Sequence, residues 1–262
     1  MIPSIKPWAA ILAALSMAAI ATAAEAAAPC PGNADALGTA RILAVDAATT
    51  PRVGRKQFPQ TLPLAAKEVV LTFDDGPWPA TTERILDALR QECVRATFFL
   101  IGRNAAARPA LAQRELSEGH TVGYHSFSHP MLDRMPIEAA QADVDRGIAA
   151  VDGALRGQAE HAAPFFRFPY FSSTPPLLDW LERRRMAVFG ADLWASDWNK
   201  MSPDQELGLV LGRVEAQQGG IVLFHDTKAQ TAAMLPAFLR ALKAGGFSIV
   251  DVVDAGAHPQ AQ

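Results

Sequence analysis

The stretch VVLTFDDGPWP, Val69 to Pro79, ends an apolar run in two adjacent acids, Asp74 and Asp75, followed by Gly76 and Pro77. A continuous apolar run this short reads as a strand buried on both faces, as in a parallel sheet. Burying one carboxylate is costly unless a cation or metal compensates it, and burying two is worse. Gly76 and Pro77 supply a turn, so the acids sit where a buried strand leaves the sheet. Their compensation has to come from elsewhere in the chain.

Further β-rich runs follow at ATFFLIG (96–102), TVGYH (121–125), FFRFP (165–169), MAVFGADL (186–193), GIVLFHD (220–226) and FSIVDV (247–252). Helical patterns fill the gaps. Ile85, Leu86 and Leu89 share one face, as do Leu235, Leu239 and Leu242. Ile137, Ala140, Val144, Ile148, Val151 and Leu155 keep helical spacing for several turns, with Pro136 expected at the first helical position. Alternating strand and helix implies an α/β fold with a parallel sheet, and seven such units favour a barrel over an open sheet.

In both architectures chemistry gathers at the carboxyl ends of the strands. The polar residues here obey that rule. Asp74 and Asp75 follow the first of these strands, His125 ends the third, and His129 lies in the loop beyond it. Arg167 stands near the end of the fourth, Asp197 follows the fifth, and His225 with Asp226 closes the sixth.

The chain has 262 residues, 50% apolar and 19% charged, which suits one globular domain with a full core. Lys and Arg total 24 against 27 Asp and Glu, a net charge of −3 with no basic tract. That argues against a nucleic-acid footprint or a polybasic membrane patch. Near the N-terminus, Lys6 precedes WAAILAALSMAAIATA and then AAEAAAP, the layout of a secretory signal over residues 1–27. The run is shorter than the ~20 residues that span a bilayer comfortably, so the mature chain is expected to be exported, periplasmic or secreted, without a transmembrane segment.

Residues 28–66 show no sustained periodicity and read as an N-terminal extension packed over a catalytic domain at 67–262. Two cysteines, Cys30 and Cys93, are too few for a disulfide framework. An oxidising compartment permits a bridge between them. Cys93 lies in a helical pattern, however, and reads rather as a small buried hydrophobe.

HSFSH gives His125 and His129 a four-residue spacing, which puts both imidazoles on one side of a turn or helix. Joined by Asp75 they form a His₂Asp set with an open position, the donor set of a catalytic rather than a structural zinc. Imidazole and carboxylate would also accept cobalt, nickel or manganese. A dication on Asp75 compensates that charge and leaves Asp74 free as a general base toward water.

Five motifs carry a wider resemblance: TFDDGP (72–77), HSFSH (125–129), RFPY (167–170), SDW (196–198) and LFHD (223–226). In order and approximate spacing they resemble those of the polysaccharide deacetylases, the nodulation-type superfamily also known as the fourth carbohydrate esterase family. The resemblance spans about Lys67 to Val252. It implies a distorted (β/α) barrel and hydrolytic removal of acetyl groups from an oligo- or polysaccharide, usually at N-acetylglucosamine units. It further implies Asp74 as base, Asp75, His125 and His129 as metal ligands, and His225 as general acid. Arg167 matches the residue that holds the base, and Asp197 the acid that tunes His225. Tyr170 matches the position whose backbone N–H stabilises the oxyanion, and Trp198 and Leu223 match the acetyl-methyl pocket.

Two positions depart from the pattern. Trp194 stands where many members carry a further Asp, and Tyr124 where many carry Asn. Both are expected to change the groove beside the site, and they leave the proposed catalytic set whole. O-acetyl ester hydrolysis on a xylan-like polymer is the alternative chemistry for such a site, and a glycan-binding module without activity is a third reading.

Overall fold

The computed structural model describes residues 30–257; the expected leader at 1–27 lies outside them. The chain begins with β1 (Thr39–Val45), β2 (Arg52–Val53) and β3 (Glu68–Asp74). It continues through α1 (Thr81–Gln91), β4 (Thr97–Leu100), α2 (Gly102–Ala107), α3 (Pro109–Ser117) and β5 (Thr121–Tyr124). Next come α4 (Ile137–Ala154), β6 (Phe165–Phe166), α5 (Pro175–Arg183), β7 (Ala187–Phe189) and β8 (Leu193–Trp194). The last elements are α6 (Pro203–Gln217), β9 (Gly219–His225), α7 (Ala229–Ala244) and β10 (Ser248–Asp254).

All strand pairings among the described residues are parallel. One path runs β8–β9–β3–β4–β5–β6–β7–β2, while β10 pairs with the start of β3 and carries β1 on its other edge. The path does not close, because β7 and β8 do not pair. The barrel is therefore distorted and open on that side. The apolar run at 186–193 is split into two short strands by Gly190, Ala191 and Asp192.

β3 is the strand on which the fold turns. Its side chains alternate between two cores, as a pleated strand requires. Val69, Leu71 and Phe73 pack outward into the large cluster with Leu86, Phe224 and Leu239. Val70 points inward with Phe99, Phe165, Phe189 and Ile221. Thr72 and Asp74 continue the inward row, and both are buried.

The N-terminal extension does more than pack over the domain, since β1 and β2 join the main sheet on β10 and β7. Each is short or at an edge, so the sequence pattern that marks a central strand is missing. Asp192 ties the segment down by accepting the Arg55 N–H at 3.0 Å and the Thr61 hydroxyl at 2.7 Å.

Two expectations are corrected. Cys93 is not a free buried hydrophobe in a helix: α1 ends at Gln91, and Cys93 has φ 49° in the turn beyond and is bridged to Cys30. Pro136 is the N-cap of α4 rather than its first helical residue.

Candidate active site and metal centre

Asp74 is the last residue of β3 and faces the barrel interior, 2% exposed. Its partner is Arg167, wholly buried just past β6, whose Nη1 donates to Asp74 Oδ1 at 2.7 Å. The other two nitrogens of that guanidinium are also engaged. Nη1 reaches Thr72 Oγ1 at 2.7 Å, Nε the Phe189 carbonyl at 3.1 Å, and Nη2 the Gly190 carbonyl at 2.7 Å. The plane of Arg167 lies over Phe99, with Cζ 4.3 Å from the ring centroid. Arg167 thus spans the barrel interior between β3 and the end of β7. Burial pushes Asp74 above the ordinary carboxylate range against the pull of Arg167, making it a stronger base than a solvated acid.

Asp75 lies one residue beyond the strand, with φ 79°. That left-handed turn brings its carboxylate to the same site as Asp74 instead of the opposite face. Asn104 Nδ2 donates to the Asp75 carbonyl at 2.7 Å and holds the turn. His125 follows β5 and is buried; its Nδ1–H donates to the Arg167 carbonyl at 2.7 Å, which leaves the Nε2 lone pair toward the acids.

HSFSH is not helical. Ser126 and His129 have φ 60° and 61°, so a tight loop folds the second imidazole back onto the first. Asp143 of α4 clamps that loop, accepting from the Phe127 and Ser128 N–H groups at 3.0 and 3.2 Å and from the Ser128 hydroxyl at 2.6 Å. Gly147, one turn further along α4, lets the loop lie against the helix.

Asp75, His125 and His129 offer ligand atoms that all lie within 4.8 Å of one another. Asp75 Oδ1 stands 3.6 Å from His125 Nε2 and 3.2 Å from His129 Nε2. The same oxygen is buried without a hydrogen-bond partner, as expected of a group whose partner is a cation. Two imidazole Nε2 atoms and one unpartnered carboxylate oxygen brought this close fit a divalent metal. Asp74 Oδ2 lies 4.0 Å from His125 Nε2, beside this cluster and outside it.

His225 ends β9, and its Nδ1–H donates to Asp197 Oδ1 at 2.7 Å. The other Asp197 oxygen accepts the His225 backbone N–H at 2.6 Å and the Thr231 hydroxyl at 2.9 Å. Burial works against the charged imidazole, but the Asp197 hydrogen bond and charge outweigh it and raise His225 to about 9. Trp198 stands edge-on 6.0 Å from the His225 ring and is half exposed, while Leu223 is buried on β9. Tyr170 has φ 56° and packs its ring 4.6 Å from His129. All ten residues singled out in the sequence thus gather around the carboxyl ends of β3, β5, β6, β8 and β9.

The sequence did not single out Asp143, Asn104 or Thr231. Each acts from a helix or loop on a distant motif, and no local pattern marks such a group.

An Arg-held carboxylate and an Asp-held imidazole beside a metal-ready cluster are the groups that hydrolysis at an acyl carbon uses. Comparison with known proteins gives the class its family. Residues 62–187 match polysaccharide deacetylase. The chitooligosaccharide deacetylase of Bradyrhizobium sp. (strain ANU 289) is 33% identical over 198 residues, 70% of this chain and 88% of that protein. The peptidoglycan-N-acetylglucosamine deacetylase of Listeria monocytogenes serotype 1/2a is 33% identical over 188 residues. That match takes in 71% of this chain but only 38% of the relative. Among solved structures, the Bdellovibrio bacteriovorus peptidoglycan deacetylase superposes with TM-score 0.73 at 34% identity, over 82% of this chain and 59% of that one. The chain belongs to the polysaccharide deacetylase family.

Proposed function

We propose that the protein is a metal-dependent hydrolase that removes N-acetyl groups from a glycan containing N-acetylglucosamine, of chitooligosaccharide or peptidoglycan type. The observation that carries this reading is the buried Arg167–Asp74 pair lying beside, and not within, the Asp75–His125–His129 cluster. One carboxylate is left for proton transfer while its neighbour is left for a cation.

Asp74 takes a proton from the attacking water as its oxygen bonds to the acetyl carbon. His225, held by Asp197, gives a proton to the amide nitrogen as the C–N bond breaks, releasing acetate and the free amine. The Tyr170 backbone N–H stabilises the oxyanion, and Trp198 and Leu223 enclose the acetyl methyl. A divalent cation held by Asp75, His125 and His129 supplies Lewis acidity when bound, and the donor set suits zinc. The Cys30–Cys93 bridge supports a periplasmic or secreted setting. No helix among the described residues is long and apolar enough to cross a membrane.

Acetate release from N-acetylglucosamine oligomers, with acetylated xylan in parallel, tests the reading. Release from xylan alone would replace it with O-acetyl ester hydrolysis. Asp74→Asn is expected to keep the metal and lose acetate release, whereas Asp75→Ala and His125→Ala lose the metal. A fully active Asp74→Asn protein would remove Asp74 from the role of base.

A further inference from the structure

Asp226 follows His225 directly and is wholly buried, yet none of the chemistry above uses it. Its backbone N–H donates to the Asp74 carbonyl at 3.2 Å, joining the end of β9 to the end of β3. Its Oδ2 accepts the hydroxyl proton of Thr82 in the first turn of α1. The Thr82 oxygen in turn accepts the Trp78 N–H at 2.8 Å. A short chain of hydrogen bonds thus runs from Trp78, just past the DDGP turn, through Thr82 to Asp226.

Gly76 closes the arrangement. A Cβ built there would lie 2.0 Å from Asp226 Oδ2, so the turn carrying Asp74 and Asp75 rests directly on the Asp226 carboxyl. Across the turn, the Gly76 carbonyl accepts the Ile101 N–H at 3.2 Å. Asp226 Oδ1 has no hydrogen-bond partner. A buried acid with one oxygen unpartnered is costly to keep, and an apolar residue would pack there without that cost.

We propose that Asp226 is a positioning residue, clasped by Thr82, that fixes the spacing between Asp74 and His225. The β3–β9 ladder pairs Asp74 with His225, and the side-chain clasp holds the DDGP turn just beyond that pair, so base, Asp75 and acid keep their places. The inference rests on the roles given to Asp74 and His225 above. A misplacement of about 1 Å costs on the order of 100-fold in rate.

The test compares Asp226→Leu, Asp226→Asn, Thr82→Val and Thr82→Ser, using acetate release for rates and chelator competition for zinc affinity. Both are measured well below each protein's unfolding temperature. Asn keeps an acceptor for Thr82 and the same shape against Gly76, and Ser keeps the hydroxyl. Asp226→Leu and Thr82→Val are expected to lower kcat about 30- to 100-fold with KM within twofold, and to weaken zinc binding about tenfold. Asp226→Asn and Thr82→Ser are expected to stay within threefold of the parent protein.

Parent-like kcat and zinc affinity in Asp226→Leu would overturn the clasp, as would an Asp226→Asn protein as impaired as Asp226→Leu. Should Asp226→Leu fail to fold, Thr82→Val with its Thr82→Ser rescue decides the matter by the same limits. A parent protein that releases no acetate from any glycan overturns the proposed activity instead. Zinc affinity then still decides the clasp.

Discussion

Arg167 Nη1 lies 2.7 Å from Asp74 Oδ1, and neither side chain has appreciable contact with solvent. A buried pair of this kind returns little net stability when intact, because both charges have been taken out of water. Breaking it is another matter. Arg167→Met would strand the Asp74 charge and leave Thr72 Oγ1 and the Phe189 and Gly190 carbonyls short of a donor. The expected loss is about 3–5 kcal/mol, read from denaturant unfolding at neutral pH. Asp74→Asn retains an acceptor for Nη1 and should cost clearly less. Equal costs for the two variants would mean that Arg167 does not compensate a charge at Asp74.

His225 and Asp197 carry the pH dependence. The folded value of His225 is raised to about 9 from an ordinary 6.5. On the role proposed for His225, the protonated form donates to the amine, so activity should fall as pH rises through about 9. The same raised value contributes stability that is fully present below about pH 6.5 and is lost as pH climbs through about 9. Asp197→Asn removes the charge that sustains the imidazolium. The alkaline limb of the kcat/KM profile should therefore move to lower pH, and an unmoved limb would assign it to another group.

Much of this site could be read from the sequence because its members are consecutive with strand ends. Asp74, His125, Arg167 and His225 each close or directly follow an apolar run, and parallel topology brings such ends together. What escaped reading depends on contacts between distant residues. Thr82 and Asp226 are 144 positions apart, and Asp143 reaches a loop 15 residues before it. Asp226 is visible as a strand-end acid, but its pairing with Thr82 carries no local signal, and neither does the reach of Asp143. The spacing of HSFSH left turn and helix open for the same reason, since a four-residue spacing fits a helix and a clamped loop equally well. β1 and β2 went unread because a half-exposed edge strand and a two-residue strand lack the apolar run that marks β3 and β9. Cys93 was misread because α1 stops two residues earlier than its apolar pattern suggests.

Gly147 tests how tightly that loop is held. A Cβ at this position would lie 2.4 Å from the Ser126 carbonyl carbon and 2.7 Å from the Phe127 nitrogen. Backbone cannot yield as a flexible side chain does, so Gly147→Ala must move either α4 or the HSFSH loop. His125 and His129 both depend on the loop, and zinc affinity is expected to fall at least tenfold, the scale on which disturbing groups that orient ligands acts. Chelator competition measures it. Unchanged affinity would show that the loop position does not govern the metal cluster.

The Cys30–Cys93 bridge closes a loop of 63 residues that includes β1, β2, all of β3 and α1. Cross-linking across that span restricts the unfolded chain by about 4 kcal/mol in the chain-entropy description. Paired Cys30→Ser and Cys93→Ser substitutions should therefore lower stability by up to that amount. The catalytic cluster sits at the opposite end of β3 from the bridge, so kcat at moderate temperature should be unaffected. Denaturant unfolding and acetate release on the same preparation separate the two effects. A loss of kcat without a loss of stability would mean that the N-terminal strands shape the site directly and do not merely brace the sheet behind it.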